Sequence, residues 1–164
     1  MSLALPAFTI TLIQAIDEHF SQFQTQQLVL TDWLTQNDTG LILYFYPKDN
    51  TAGCGVQAED FSRLKADFAK LGFVVIGVSR DSLKSHQKFI NNKHINFALI
   101  SDPEQQLCEH FGVIDEKHMY GKKVLGVVRS SFVFDKQGKL QQEYRNIRAK
   151  NHAETLLTML ADHL

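Results

Sequence analysis

Cys54 closes a segment, Phe45-Tyr-Pro-Lys-Asp-Asn-Thr-Ala-Gly-Cys54, in which an apolar run gives way through a proline to the start of an amphipathic stretch. A cysteine in the first turn of a helix has backbone N–H groups without intrahelical partners aimed at its sulfur, and the helix dipole favours its anion. The thiolate is the nucleophilic form of cysteine. If it attacks a peroxide, both oxygens of the O–O bond need support in the transition state, because one of them leaves as hydroxide or alkoxide. Thr51, three residues earlier, can turn its hydroxyl toward the same pocket, and Pro47 can wall off one side without adding a competing N–H donor. A guanidinium, always charged, would stabilise both the thiolate and the departing oxyanion. The product at sulfur would be a sulfenic acid.

The surrounding pattern supplies elements to position such a group. Leu41 to Tyr46 and Phe73 to Ser79 are short apolar runs of the kind that form buried strands. Between them Cys54, Ala58, Phe61, Leu64, Phe68 and Leu71 recur at helical spacing, and Gly72 supplies the stop. Glu59 and Asp60 fall early in that helix and Lys65 and Lys70 late, complementing its dipole. Ser82 is placed to cap a second helix reaching Asn92, followed by a third strand over Phe97 to Ile100. Asp102, Pro103 and Glu104 read as the cap and first turn of a short helix that ends at Gly112. Ser131 to Phe134 and Lys139 to Tyr144 flank a turn at Gly138 and read as a hairpin, after which Asn151 and Glu154 suggest a capping box for a terminal helix through Leu160. The sum is an α/β chain, a central sheet covered by helices on both faces. With 164 residues, 44% of them hydrophobic, it is expected to form a single domain over residues 1–164, with an elaborated N-terminal stretch up to residue 40.

Charge narrows the partners. Seventeen basic residues nearly balance eighteen acidic ones, which recommends neither nucleic acid nor an anionic membrane. Asp17, Glu18, Asp32 and Asp38 precede Lys48, the first basic residue, so positive charge begins beside Cys54. The longest apolar run, Leu71 to Val78, is far short of the roughly 20 residues that cross a bilayer. Pro6 and the lack of a basic opening argue against a secretory signal, and a cytoplasmic location, with reduced cysteines, is the expectation. Neither the two cysteines nor the scattered histidines, such as His110 beside Cys108, show metal-ligand spacing, and nothing in the sequence requires a cofactor.

Pro47, Thr51 and Cys54 together match the active-site signature of the peroxiredoxins, and the longer string FYPKDNTAGCGVQA resembles the bacterioferritin-comigratory-protein, or PrxQ, subfamily. The likeness continues from Asn96 to Asp102, from Cys108 to Val113 and from Gly126 to Asp135, and thus covers most of the chain after Gly40. Leu5 to Phe8 resembles the family's opening strand. The resemblance implies a thioredoxin-like fold and a thiol-dependent peroxidase acting on hydrogen peroxide and organic hydroperoxides. Cys54 would be the peroxidatic nucleophile, with Thr51, Pro47 and Arg129 around it; the family's active-site arginine precedes a strand, as Arg129 does here. Thioredoxin, glutaredoxin or glutathione would serve as reductant, and the subfamily favours a monomer.

Three departures bear on the cycle. The position five residues after Cys54, where many members carry a resolving cysteine, is Glu59, and the next helix has no cysteine either. Ala52 stands where the family has proline. Cys108 lies with Leu107 and Phe111 on the inner side of its short helix, which favours a core position over a resolving one; a bridge to Cys54 would need Cα atoms within about 7 Å. A one-cysteine cycle completed by an external thiol is therefore the expected mechanism. A peroxide sensor or holdase-type module that reacts once without turnover is the alternative. A disulfide oxidoreductase would want Cys-x-x-Cys, and Gln57 holds the second position.

Overall fold

The computed structural model describes residues 3–163, at 117 and 119 the backbone alone. In chain order the elements are β1 (Ile10–Ala15), β2 (Phe23–Leu28), α1 (Leu30–Asn37), β3 (Gly40–Phe45), α2 (Ala52–Lys70), β4 (Phe73–Ser79), α3 (Leu83–Lys93) and β5 (Ala98–Ser101). There follow α4 (Gln106–His110), β6 (Ile114–Met119), β7 (Lys122–Val127), β8 (Ser130–Phe134), β9 (Leu140–Tyr144) and α5 (His152–Asp162). The main sheet runs β2-β1-β5-β4-β3-β8-β9, parallel through β5, β4 and β3 and antiparallel toward both edges. No helix among the described residues is long and apolar enough to cross a membrane.

β3 is buried along its whole length, and its alternation divides the interior in two. Leu41, Leu43 and Phe45 face one core together with α1 and α4, through Leu30, Leu34, Leu107, Cys108 and Phe111. Ile42, Tyr44 and Tyr46 face the other, which holds Cys54, Ala58, Phe61 and Phe68 of α2 with parts of α3 and α5. This is the two-faced α/β sheet expected from the pattern. Gly77 of β4 is required under the second of these cores, since a Cβ there would lie 2.9 Å from both the Tyr44 ring and Leu99.

Several local expectations hold and others need correction. Ser82 caps α3 by accepting the Ser85 N–H at 3.1 Å, and Gly138, at φ 79°, makes the β8–β9 turn. The Gln-rich N-terminal stretch supplies β2 and α1, so β1 and β2 form an antiparallel pair docked on β5. The opening strand expected over Leu5 to Phe8 is reduced to an isolated bridge between Ala4 and Lys139, and regular pairing starts at Ile10. Asp102 does cap, accepting N–H bonds from Leu107 and Cys108 at 3.0 and 2.9 Å, but the helix begins only at Gln106 because Gln105 adopts φ 61°. The capping box at Asn151 does not form: Asn151 is left-handed, φ 64°, and Glu154 instead pairs with Arg63 of α2. The β6–β7 hairpin was not legible, because its strands expose Val124 and Leu125 and so lack the buried alternation that marks a strand.

Candidate active site

Thr51 is the extended residue at the N-terminus of α2, at φ −99° and ψ 156°, yet its side chain does not cap the helix. The hydroxyl turns back and donates to the Lys48 carbonyl at 2.9 Å. The first-turn amides are therefore left without a side-chain acceptor, beside a cysteine that is only 1% exposed. The N–H groups of that turn and the positive end of the helix dipole lie next to the buried sulfur.

Arg129 completes this environment from the residue that precedes β8, the strand paired with β3, which leads into α2. Its Nη2 donates to Cys54 Sγ at 3.3 Å and its Nη1 to Gln57 Oε1 at 2.5 Å. The guanidinium also lies over the first helical turn, 3.4 Å from where a Cβ on Gly53 would sit. Gln57 is wholly buried one turn after Cys54, and its Nε2 has no partner among the described residues. Sequence reading noted Gln57 only as a position lacking cysteine; the i, i+3 spacing from Cys54, which puts both on one helix face, was the available signal. A cleft of about 380 Å³ is lined by Pro47, Asp115, Val127, Val128, Arg129, Asn146 and Ile147. Pro47 and Arg129 thus share one wall system, and the guanidinium links the cleft to the buried sulfur.

Of the expected site residues, Cys54 and Arg129 are in direct contact, Thr51 starts the same helix, and Pro47 lines the cleft with Arg129. Cys108 is elsewhere. Both cysteines are free and buried, and they belong to the two cores on opposite faces of the sheet. Burial first, and then the Asp102 carboxylate, pushes the Cys108 thiol well up, which holds it as the neutral thiol.

His152, at the start of α5, stands within the field of Arg129. Burial, with that guanidinium as the second cause, lowers it from 6.5 to about 4, and its Nε2 lies 2.9 Å from the Ser131 hydroxyl. Between those values the unfolded chain takes up a proton that the folded protein refuses, so stability is complete above about pH 6.5 and is lost as pH falls toward 4. Denaturant titrations at neutral pH and at about pH 4.5 should show the wild type losing about 2–3 kcal/mol more than His152→Gln. Equal losses in the two proteins would refute this account of acid sensitivity.

Comparison with known proteins gives the family of the chain. Residues 4–143 match the AhpC/TSA family. The chain is 45% identical to peroxiredoxin Bcp of Xanthomonas campestris over 123 residues, 75% of this chain and 77% of that protein. It is 43% identical to peroxiredoxin Bcp of Bacillus subtilis, over 74% of this chain and 78% of that one. Among solved structures, peroxiredoxin Q of X. campestris superposes with a TM-score of 0.81 at 38% identity, covering 98% of this chain and 96% of that one. A bacterioferritin comigratory protein from the same organism, described for its alkyl peroxide reduction activity, gives 0.81 at 37% identity, covering 98% and 97%. The mixed sheet with helices on both faces is the thioredoxin-like fold of these structures.

Proposed function

The chain belongs to the AhpC/TSA family as a peroxiredoxin of the Bcp/PrxQ kind and is a thiol-dependent peroxidase, and from that premise we propose that Cys54 is its peroxidatic cysteine, working in a one-cysteine cycle. The observation that carries this reading is the Arg129 guanidinium 3.3 Å from a buried sulfur at a helix N-terminus. The Cys54 thiolate attacks the terminal hydroxyl oxygen of the hydroperoxide, forming an S–O bond as the O–O bond breaks. The bonding pair leaves on the other oxygen, which takes a proton from solvent and departs as water or an alcohol. Arg129 stabilises the thiolate and then the developing oxyanion. Thr51, whose proton is committed to Lys48, offers its lone pairs to the O–H of the peroxide, and Pro47 shields the product from water. The apolar part of the cleft, Pro47, Val127, Val128 and Ile147, suits organic hydroperoxides as well as hydrogen peroxide.

The sulfenic acid is resolved from outside. An external thiol attacks its sulfur, hydroxide leaves as water with the thiol's proton, and a second thiol releases Cys54 from the mixed disulfide. Thioredoxin, glutaredoxin or glutathione would supply these thiols, and the chain acts as a single-domain cytoplasmic monomer. What favours an external resolver is the position of Cys108, across the sheet and kept protonated by its surroundings.

Intact mass of the reduced protein before and after one equivalent of hydrogen peroxide tests the cycle. Wild type and Cys108→Ser should both gain one oxygen and both turn over with an external thiol, Cys108→Ser retaining the wild-type rate to within about twofold. Loss of two hydrogens in the wild type, absent from Cys108→Ser, would make Cys108 the resolving residue and end the one-cysteine reading. One oxidation event without steady turnover under any of the three reductants would favour a sensor.

A further inference from the structure

The Pro47–Thr51 loop is fastened from below by a polar network that the reaction itself does not use. Asp49 is 4% exposed, and both its carboxylate oxygens are engaged. Oδ1 accepts the Tyr46 hydroxyl at 2.6 Å, while Oδ2 accepts the Ser85 hydroxyl at 2.9 Å and faces His86 Nδ1 at 2.6 Å. The Asp49 N–H donates to Asp81 Oδ2 at 2.9 Å, and Asp81 is in turn held by the Ser79 hydroxyl. His86, on α3, is fully buried, with Nε2 2.9 Å from the Ile100 carbonyl of β5. A carbonyl only accepts, so Nε2 carries a hydrogen and donates to Ile100. Next to Asp49, Asn50 adopts φ 59° and is tied to Asn92 of α3 at 3.1 Å. His86 therefore joins the loop, α3 and β5 through two directional bonds.

A buried polar pair of this kind is weak evidence for stability, and its use must be sought in the geometry it imposes. We propose that His86 is a positioning residue for peroxide reduction: through Asp49 it holds the loop so that Thr51 and Pro47 stand in place beside Cys54. The path is short. The Lys48 carbonyl, adjacent to Asp49 in the chain, takes the Thr51 hydroxyl and so fixes where its lone pairs point, and Thr51 opens the helix that carries Cys54. The inference rests on Cys54 as the peroxidatic residue.

The test compares two reactions of the same sulfur in full-length His86→Asn, Asp49→Asn and the double variant. Oxidation by hydrogen peroxide requires the assembled loop, whereas alkylation by iodoacetamide requires only an accessible thiolate. The peroxide rate should fall by about tenfold to a hundredfold, the cost of misplacing a reacting group by about an ångström, while alkylation keeps its rate or quickens. The double variant should be no slower than the slower single one, since both break the same tether. Leu34→Ala, which truncates a buried side chain of α1 in the opposite core, should lower Tm and leave the peroxide rate unchanged. Should His86→Asn not fold, Asp49→Asn, which keeps the shape and the acceptor for Tyr46, decides alone. A wild-type peroxide rate in the variants, or an equal fall in both reactions, overturns the proposal. A wild-type protein whose Cys54 thiol survives peroxide would instead sink the assignment of Cys54, and the inference with it.

Discussion

Cys54→Ser should abolish peroxide reduction, lowering the rate by at least about a thousandfold, or about 4 kcal/mol in barrier height. Two effects combine. A serine hydroxyl is scarcely ionised at neutral pH even beside a guanidinium, so the nucleophile is lost. More fundamentally, sulfur can accept the transferred oxygen and later release it as water, whereas an alkoxide attacking a peroxide would only make another peroxide. The substitution is close to isosteric in a site where the side chain is 1% exposed and contacts Arg129, so the fold should survive. The measurement is peroxide consumption with an external thiol, together with the mass of the treated protein: Cys54→Ser should gain no oxygen while Cys108→Ser gains one. Residual turnover above about a tenth of wild type would assign the chemistry to another group.

The helix that carries this sulfur was legible in the sequence because its signals are local. The apolar spacing from Cys54 to Phe68 and the stop at Gly72 predict α2, and the structure buries Cys54, Ala58, Phe61, Leu64 and Phe68 along it. The same holds for β3, β4 and β8, whose apolar runs are written in consecutive residues, and for the turn at Gly138 that joins β8 to β9. Illegible features depend on partners distant in the chain. Asn151 and Glu154 have the residue types of a capping box, but Glu154 pairs with Arg63, and Asn151 turns left-handed to start α5. The site divides in the same way: Pro47, Thr51 and Cys54 form a continuous motif, while Arg129 could be placed only through resemblance. Gln57, Asp49 and His86 carried no signal strong enough to choose them, because their roles arise from contacts across α2, α3 and β5.

The buried position of Cys54 also explains why an internal resolver is a poor fit. A disulfide demands Cα atoms within about 7 Å, yet the main sheet lies between the core of Cys54 and that of Cys108. Forming the bridge would require opening one face of the sheet. An external thiol needs only to reach a sulfur at the end of α2, beside the cleft that Pro47 and Arg129 border.

Arg129→Met should slow Cys54 oxidation by about a hundredfold to a thousandfold, the range expected when one donor to a developing oxyanion is removed. Methionine fills much of the space of the arginine stem but supplies neither charge nor donor. Its loss uncovers three groups at once: the sulfur at 3.3 Å, the Gln57 carbonyl at 2.5 Å and the oxygen that leaves the peroxide. Arg129→Lys separates charge from geometry. An ammonium can sit near the thiolate, but it cannot present two fixed N–H bonds to Cys54 and Gln57 in one plane, so it should recover only part of the rate. If Arg129→Lys matched the wild type, a point charge would suffice and the fork to Gln57 would be dispensable. If Arg129→Met retained more than about a tenth of the rate, the guanidinium would hold the reduced thiolate without acting on the leaving oxygen. The two readings also differ in substrate dependence: a group acting on the leaving oxygen should matter more as the leaving alcohol becomes more basic. The ratio of wild-type to Arg129→Met rates should therefore be larger for a simple alkyl hydroperoxide than for one whose leaving oxygen is already acidic.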